Sequence, residues 1–295
     1  MKSLRAVAPW LPGSVLALGV VTASVSAILI RYAHGADPLA LSFWRCAAGA
    51  AVLAPFALPR LRSLRPRDLV VPVWTGLFLA LHFATWISSI ELTTVAASVL
   101  LVSTTPVFVA IAARYLLGER LRRIAWAGIL LATCGAAIVG GGGLEGSSLT
   151  GNLLAIAGAV FGGGYFLGGQ QARATMGILE FAVITYAAAA IFLIPGCLLL
   201  GAELSGYPGD TWLVIAALVA GPQLLGHTLI NLALSDIDAT TVSVAVMAEP
   251  VIATALAFVL LSETPGLLVY PGGVAILIGI YLVTATRGTP ALIVE

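Results

Sequence analysis

Charge is what this chain has least of. Only 9% of its 295 residues are Asp, Glu, Lys or Arg, against 60% hydrophobic, whereas a soluble domain carries roughly a quarter charged residues. A water-soluble globular protein is therefore excluded. The formal net charge is only +1 and no basic tract occurs, so nucleic acid is not an expected partner, because that binding needs clustered Lys and Arg. The dyad alternation of barrel strands is missing, which excludes a β-barrel. Cysteine is scarce: Cys46, Cys134 and Cys197 are odd in number, lie in apolar stretches and form no C-x-x-C pair, so neither a disulfide framework nor a zinc site is indicated. There is no Walker A lysine motif, no H-E-x-x-H and no G-x-S-x-G, which speaks against ATP-driven work and against an intramembrane enzyme. Gly141, Gly143 and Gly146 satisfy G-x-G-x-x-G but sit in no βαβ unit, so they read as a flexible loop. No cofactor and no metal are expected.

What the chain has is long apolar runs. Gly, Pro and charge clusters divide it into ten segments, at 12–33, 37–58, 69–91, 93–117, 122–140, 149–170, 177–199, 209–233, 238–261 and 264–286. The run from Leu11 to Ile30 is too long for a signal-peptide h-region and reads as a retained first spanning helix. With ten crossings, Lys2, Arg5, Arg60, Arg62, Arg65, Arg67, Arg120, Arg122, Arg123, Arg173 and Arg287 fall on one side, and Arg31 alone on the other. Positive residues stay cytoplasmic, so both termini are expected inside, with Glu145, Glu203 and Asp210 outside.

A repeat runs through the chain. Pro106, Glu119, Gly128 and Gly135 match Pro250, Glu263, Gly272 and Gly279 at a constant offset of 144 residues. His82 and His227 match within one residue of it. Five helices per half is an odd number, so the halves must enter the membrane in opposite orientation. The expected fold is an all-α membrane protein of ten transmembrane helices in two inverted five-helix repeats, residues 1–145 and 146–295. Inverted repeats around a midplane site are the architecture of many secondary transporters. Gly158 with Gly162, and Gly164 with Gly168, are spaced for close helix contact.

Polar groups in hydrocarbon are costly unless they face protein or water, so each is a candidate site residue. Phe78, His82 and Trp86 share one helical face by their spacing, and so do Gln223, His227 and Asn231; facing each other across the pseudo-twofold, they would offer aromatic surface and hydrogen bonds to a small amphiphilic solute. The alternative for each His is an interhelical hydrogen bond that glues the bundle. Trp44, Trp86 and Tyr165 lie away from the interface belts where aromatics concentrate, and read as cavity lining or as core packing. Arg45 and Glu249 are charges well within segments. Glu249 sits about 18 Å along its helix, near the midplane, and Pro250 opens that helix. It is expected to bind a substrate ammonium or carry a coupling proton; the alternatives are an ion pair with Arg45, or a neutral Glu bonded to the broken backbone. Pro106 and Pro250 are expected to be the hinges of two gates.

A helix with a central Pro, a Glu at its end and then a Gly-punctuated helix, seen in Ala96 to Arg120 and again in Ala239 to Glu263, resembles the EamA-type repeat of the drug/metabolite transporter superfamily. Thr264-Pro265 departs from the Arg120-Leu121 of the first repeat. The resemblance implies a bacterial inner-membrane exporter of amino acids and other metabolites, similar to aromatic amino-acid exporters, working by alternating access. A nucleotide-sugar or drug exchanger of the same superfamily, a channel and an intramembrane enzyme are the rival functions. Expected partners are a small-molecule solute and membrane lipid, and the chain is read as a monomer.

Overall fold

Inside a bilayer no water satisfies backbone N–H and C=O groups, so a spanning chain must close its hydrogen bonds within helices. Proline and capping residues set where those helices start. Pro38 and Pro66 occupy first helical positions, where their missing N–H costs nothing, Asp37 caps the first of these by accepting from Leu39 N, and Asp68 accepts from the Arg65 N–H at the second. The computed structural model describes residues 4–33, 35–139, 147–261 and 266–287, and every regular element among them is helical. The 141–146 glycine run, Lys2, Glu145, Glu263 and Thr264-Pro265 lie outside the described residues.

The first half holds α1 (Leu4–Val7), α2 (Leu11–Ser24), α3 (Ser26–Arg31), α4 (Pro38–Leu61), α5 (Pro66–Leu92), α6 (Val95–Val102), α7 (Thr105–Leu116) and α8 (Arg123–Val139). The second holds α9 (Leu149–Arg173), α10 (Ile178–Leu200), α11 (Gly209–Leu218), a π-helical stretch (Val219–His227) running into α12 (Thr228–Ala233), α13 (Ala239–Val246), α14 (Glu249–Leu261) and α15 (Val269–Arg287). Eight stretches are long and apolar enough to cross a membrane, and two more, Leu100–Leu116 and Arg123–Val139, are apolar but shorter. The latter correspond to the fourth and fifth segments read from sequence. At 1.5 Å per residue, the 17 residues of α8 span about 26 Å, a few ångström short of the hydrocarbon core.

The repeat is visible in the backbone. The fourth segment breaks between α6 and α7 and the ninth between α13 and α14, with Thr104 N bonded to Leu101 O and Ala248 N to Ala245 O at the same 144-residue offset. Pro106 and Pro250 are the second residues of α7 and α14. A proline ring clashes with the carbonyl four residues back and removes its hydrogen bond. The break therefore falls just ahead of each proline, and each proline begins a new helix; it is not a kink within one.

The duplicated glycines form the crossing of α8 with α15. A methyl group on Gly128 would lie 2.8 Å from Gly279 O, and one on Gly135 2.6 Å from Gly272 O; the reciprocal distances are 2.5 Å and 2.7 Å. Partner number falls as residue number rises, so the helices run antiparallel. Each contact also maps onto the other under the 144-residue offset. Residue i meeting j while j meets i is the signature of a twofold relation, and here its axis lies perpendicular to both helices.

Contacts between loops sort the two ends of the bundle. At one end Arg60 pairs with Glu180 at 3.7 Å, Leu64 and Val71 pack with Met176, Ile178 and Phe181, and the Leu4 and Arg5 amides donate to Asp236. This is the arginine-rich end anticipated from sequence. At the other end Thr93 bonds Asn152, and Trp44 packs on Trp212.

Candidate functional site

A cavity of about 470 Å³ lies between helices of both halves. The two helix breaks open onto it: Thr105 and Pro106 from α7, and Glu249 and Pro250 from α14, line its wall. These are repeat-equivalent pairs, with Thr in one half where the other has Glu. The cavity extends toward the end opposite the arginines, since Ile30, Trp86 and Val139 line it and each lies in the portion of its helix nearer that end.

On α5 the cavity-facing residues are Leu79, His82, Phe83 and Trp86. Phe78 is not among them; it packs where α9 has Gly164. An i, i+4, i+8 series turns by about 40° at each step, so Phe78 has rotated onto the neighbouring helix. The i, i+3, i+4, i+7 set is the one that shares a face. The α9 glycines admit this stripe closely: a methyl on Gly162 would lie 2.9 Å from His82 Nδ1, one on Gly158 3.2 Å from Trp86 Cβ, and one on Gly168 would overlap Thr75 Oγ1. The paired glycines of the sixth segment are thus sites of close helix contact. His82 has both of the roles considered for it. Its Nδ1 lies 2.8 Å from the Gly158 carbonyl, which only accepts, so Nδ1 carries the proton and ties α5 to α9, while the ring faces the cavity stacked on Trp86 with centroids 5.9 Å apart.

The second stripe divides more sharply. His227 lines the cavity; Gln223 and Asn231 do not. The two stripes thus face one another only through His82, Trp86 and His227. Gln223 is fully buried, with both amide atoms unpartnered among the described residues and its Cγ near Gly49. Asn231 is buried behind the wall, where its Nδ2 donates to Tyr165 Oη at 2.5 Å and to His227 O at 2.8 Å. It positions Tyr165, which is itself cavity lining. The cause is the π-helical stretch from Val219 to His227, whose i→i+5 bonding changes the angular step per residue and so displaces the face that α-helical spacing implies.

Trp44 also lies away from the cavity. Its indole N–H donates to Leu204 O at 2.8 Å and its ring meets Trp212 edge-on at 5.3 Å. Arg45, the next residue, turns inward. It is only 4% exposed, lies 5.0 Å over the Phe83 ring and donates from Nη1 to Ser26 Oγ at 3.2 Å. Arg45 and Glu249 line the same cavity but form no ion pair among the described residues. Phe83 and Ser26 belong to this wall and were not singled out in the sequence; the spacing of Phe83 from Leu79 and Trp86 was the available signal.

Toward the arginine-rich end the helices close over the cavity. Gln170 on α9 donates from Nε2 to Glu119 Oε1 at 3.1 Å and accepts from Ala239 N at 2.5 Å. One amide therefore joins the loop after α7 to the start of α13, one from each half. Nearby, Arg173 is buried and donates to the carbonyls of Asn231 and Met176. Its position at a loop edge had marked it only as a topology signal.

The EamA-like transporter family matches this chain twice, over residues 11–141 and 149–285. No curated protein matches it. Among solved structures, one titled "Crystal structure of protein" superposes with a TM-score of 0.79 at 23% identity, covering 93% of this chain and 96% of its own; that likeness is one of fold.

Proposed function

The chain belongs to the EamA-like transporter family, and on that premise we propose that it exports small metabolites, chiefly amino acids including aromatic ones, by alternating access. The observation that carries the solute class is a pair of opposite charges, Arg45 and Glu249, lining one cavity with no ion pair between them among the described residues. A buried charge without an opposite charge in contact is costly, and a zwitterion supplies both at once. Glu249 takes the ammonium. The rings of Phe83 and Trp86 supply apolar contact, and a cavity of about 470 Å³ is in the range that holds small molecules. A single guanidinium among the described lining residues argues against nucleotide-sugar or phosphate cargo, which recruits several cations.

We read the chain as a bacterial inner-membrane protein of ten crossings with both termini cytoplasmic, divided into repeats at 145/146. The gathering of arginines at one end supports that orientation, and the antiparallel glycine crossing supports the inversion. This conformation is then the outward-facing one, closed on the cytoplasmic side by the Gln170 bridge. Opening it means swinging the half-helices about the breaks ahead of Pro106 and Pro250. Both halves contribute to the cavity within one chain, which supports a monomer as the working unit.

Purified protein in liposomes, preloaded with one unlabelled amino acid and given labelled phenylalanine, leucine or threonine, should show saturable counterflow. Glu249→Gln should weaken all three and alter any pH dependence. An absence of amino-acid counterflow, alongside movement of sugars or nucleosides in the same vesicles, would overturn the solute assignment.

A further inference from the structure

Hydrogen-bond polarity divides the cavity into two walls. Ser24, Thr105, Ser243 and Thr254 all line it, and each hydroxyl donates to a backbone carbonyl three or four residues back at 2.7–2.8 Å, the Thr105 bond reaching across the break to Val102 O at the end of α6. Such a hydroxyl has spent its proton and has only lone pairs left for a ligand. Together with the Glu249 carboxylate, these groups make an acceptor wall on α2, α7, α13 and α14.

The opposite wall carries unsatisfied donors. Among the described residues Arg45 Nε and Trp86 Nε1 are buried donors without a hydrogen-bond partner, and His227 Nδ1, which donates in one tautomer of the ring and accepts in the other, is unpartnered as well. All three side chains line the cavity. Phe83 connects two of them: Arg45 lies over its ring at 5.0 Å, and His227 meets it edge-on with centroids 6.0 Å apart. On this wall a guanidinium, an indole N–H and an imidazole present several donors and no carboxylate, Glu249 standing on the other wall. Buried polar groups in native structures are partnered, so this set calls for an anionic acceptor with more than one oxygen. A carboxylate has that form, and its planar oxygens suit the fork of a guanidinium.

We propose that Arg45, with the indole N–H of Trp86 and the imidazole of His227, is the subsite for the solute's carboxylate, and that the carboxylate is an obligatory recognition element of this carrier. The inference rests on the amino-acid reading of the cavity and adds the orientation of the solute: carboxylate to α4 and α5, ammonium to α14 and side chain along the aromatic wall. A solute lacking the carboxylate leaves the donors unpaired and is rejected, because a site built to hydrogen-bond a group discriminates strongly against its absence.

The test compares phenylalanine, leucine and threonine with their descarboxy amines, phenethylamine, 3-methylbutylamine and 1-aminopropan-2-ol, as competitors in reconstituted vesicles. With wild-type protein each amine should compete about 10- to 100-fold less well than its parent, the range expected for hydrogen bonds to a charged group. Arg45→Gln should bring the amino acids down to the level of the amines while leaving the amines unchanged, and Arg45→Lys should restore part of the difference. If Arg45→Gln does not insert, Trp86→Phe keeps the ring and loses the N–H, and should weaken the amino acids but not the amines. Amines competing as well as amino acids, or variants weakening both alike, would overturn the subsite while leaving the transport function standing. No competition by either class would remove both.

Discussion

The α8–α15 crossing sets a quantitative test, because two carbonyls occupy the places where methyl groups would go. In Gly135→Ala the new methyl would lie 2.6 Å from Gly272 O and 2.8 Å from Ile276 N. A carbon meets a carbonyl oxygen comfortably at about 3.3–3.6 Å, so the helices must part by roughly 0.7–1 Å. Overpacking of this kind costs about 1–3 kcal/mol, offset by about 0.5–1 kcal/mol because Ala holds a helix better than Gly. The net expectation is a loss of about 1 kcal/mol, at most about 2.5 kcal/mol. Gly272→Ala places its methyl 2.7 Å from Gly135 O, so the same separation relieves both, and the double variant should cost at least about 0.5 kcal/mol less than the sum. Gly196→Ala is the control, since its nearest neighbour is Leu39 Cδ1 at 4.0 Å, and it should be neutral or stabilising. Unfolding by SDS titration of detergent-purified protein measures all four. A Gly135→Ala variant as stable as Gly196→Ala, or a fully additive double variant, would mean that the two helices do not meet through these glycines.

A cysteine placed at Ser147 should react with an impermeant thiol reagent from outside intact cells, and one at Ser63 should not; reversed labelling would invert the orientation. Pro106→Ala and Pro250→Ala should leave solute affinity near wild type and slow counterflow several-fold, because the continuous helix regains a hydrogen bond at the hinge; unchanged counterflow in both removes the hinge role. Gln170→Leu loses the bridge between the two halves, about 1–2 kcal/mol for its hydrogen bonds, and should raise cytoplasmic accessibility of a cysteine at Ser243 by roughly 5- to 30-fold. No change there would mean that other contacts close that side.

Period and punctuation were enough for the scaffold. Pro106 and Pro250, with the Gly128/Gly135 and Gly272/Gly279 pairs, gave the offset, and these residues occupy the breaks and the crossing because close approach and a missing N–H are properties of the residue itself. The cavity face was harder to read. Phe78 and Trp86 stand two steps of four apart, enough for their faces to diverge, and Asn231 follows a π-helical stretch that no local spacing announces. The split between Trp44 and Arg45 was equally hidden. Adjacent residues on a helix point about 100° apart, and which of them meets the cavity depends on partners such as Leu204 and Phe83 that come from other helices. Gln170 and Arg173 gave no apolar-segment signal because they lie at the rim, where polar residues are ordinary.

The glycine crossing also bears on how a lopsided cavity can exist at all. A surface that mates with its own copy turned upside down needs no second gene. A five-helix chain bearing the Gly128 and Gly135 face would meet another copy inserted the other way through these same contacts. Such a pair would be bound to carry every residue twice. An acid at the position of Glu249 would be mirrored by an acid at the position of Thr105, and like charges sharing one cavity drive each other toward the protonated form. Covalent joining of the halves releases the two positions from each other. It lets one keep a carboxylate while the other becomes a hydroxyl, and so gives the solute a head end and a tail end within a nearly symmetric frame.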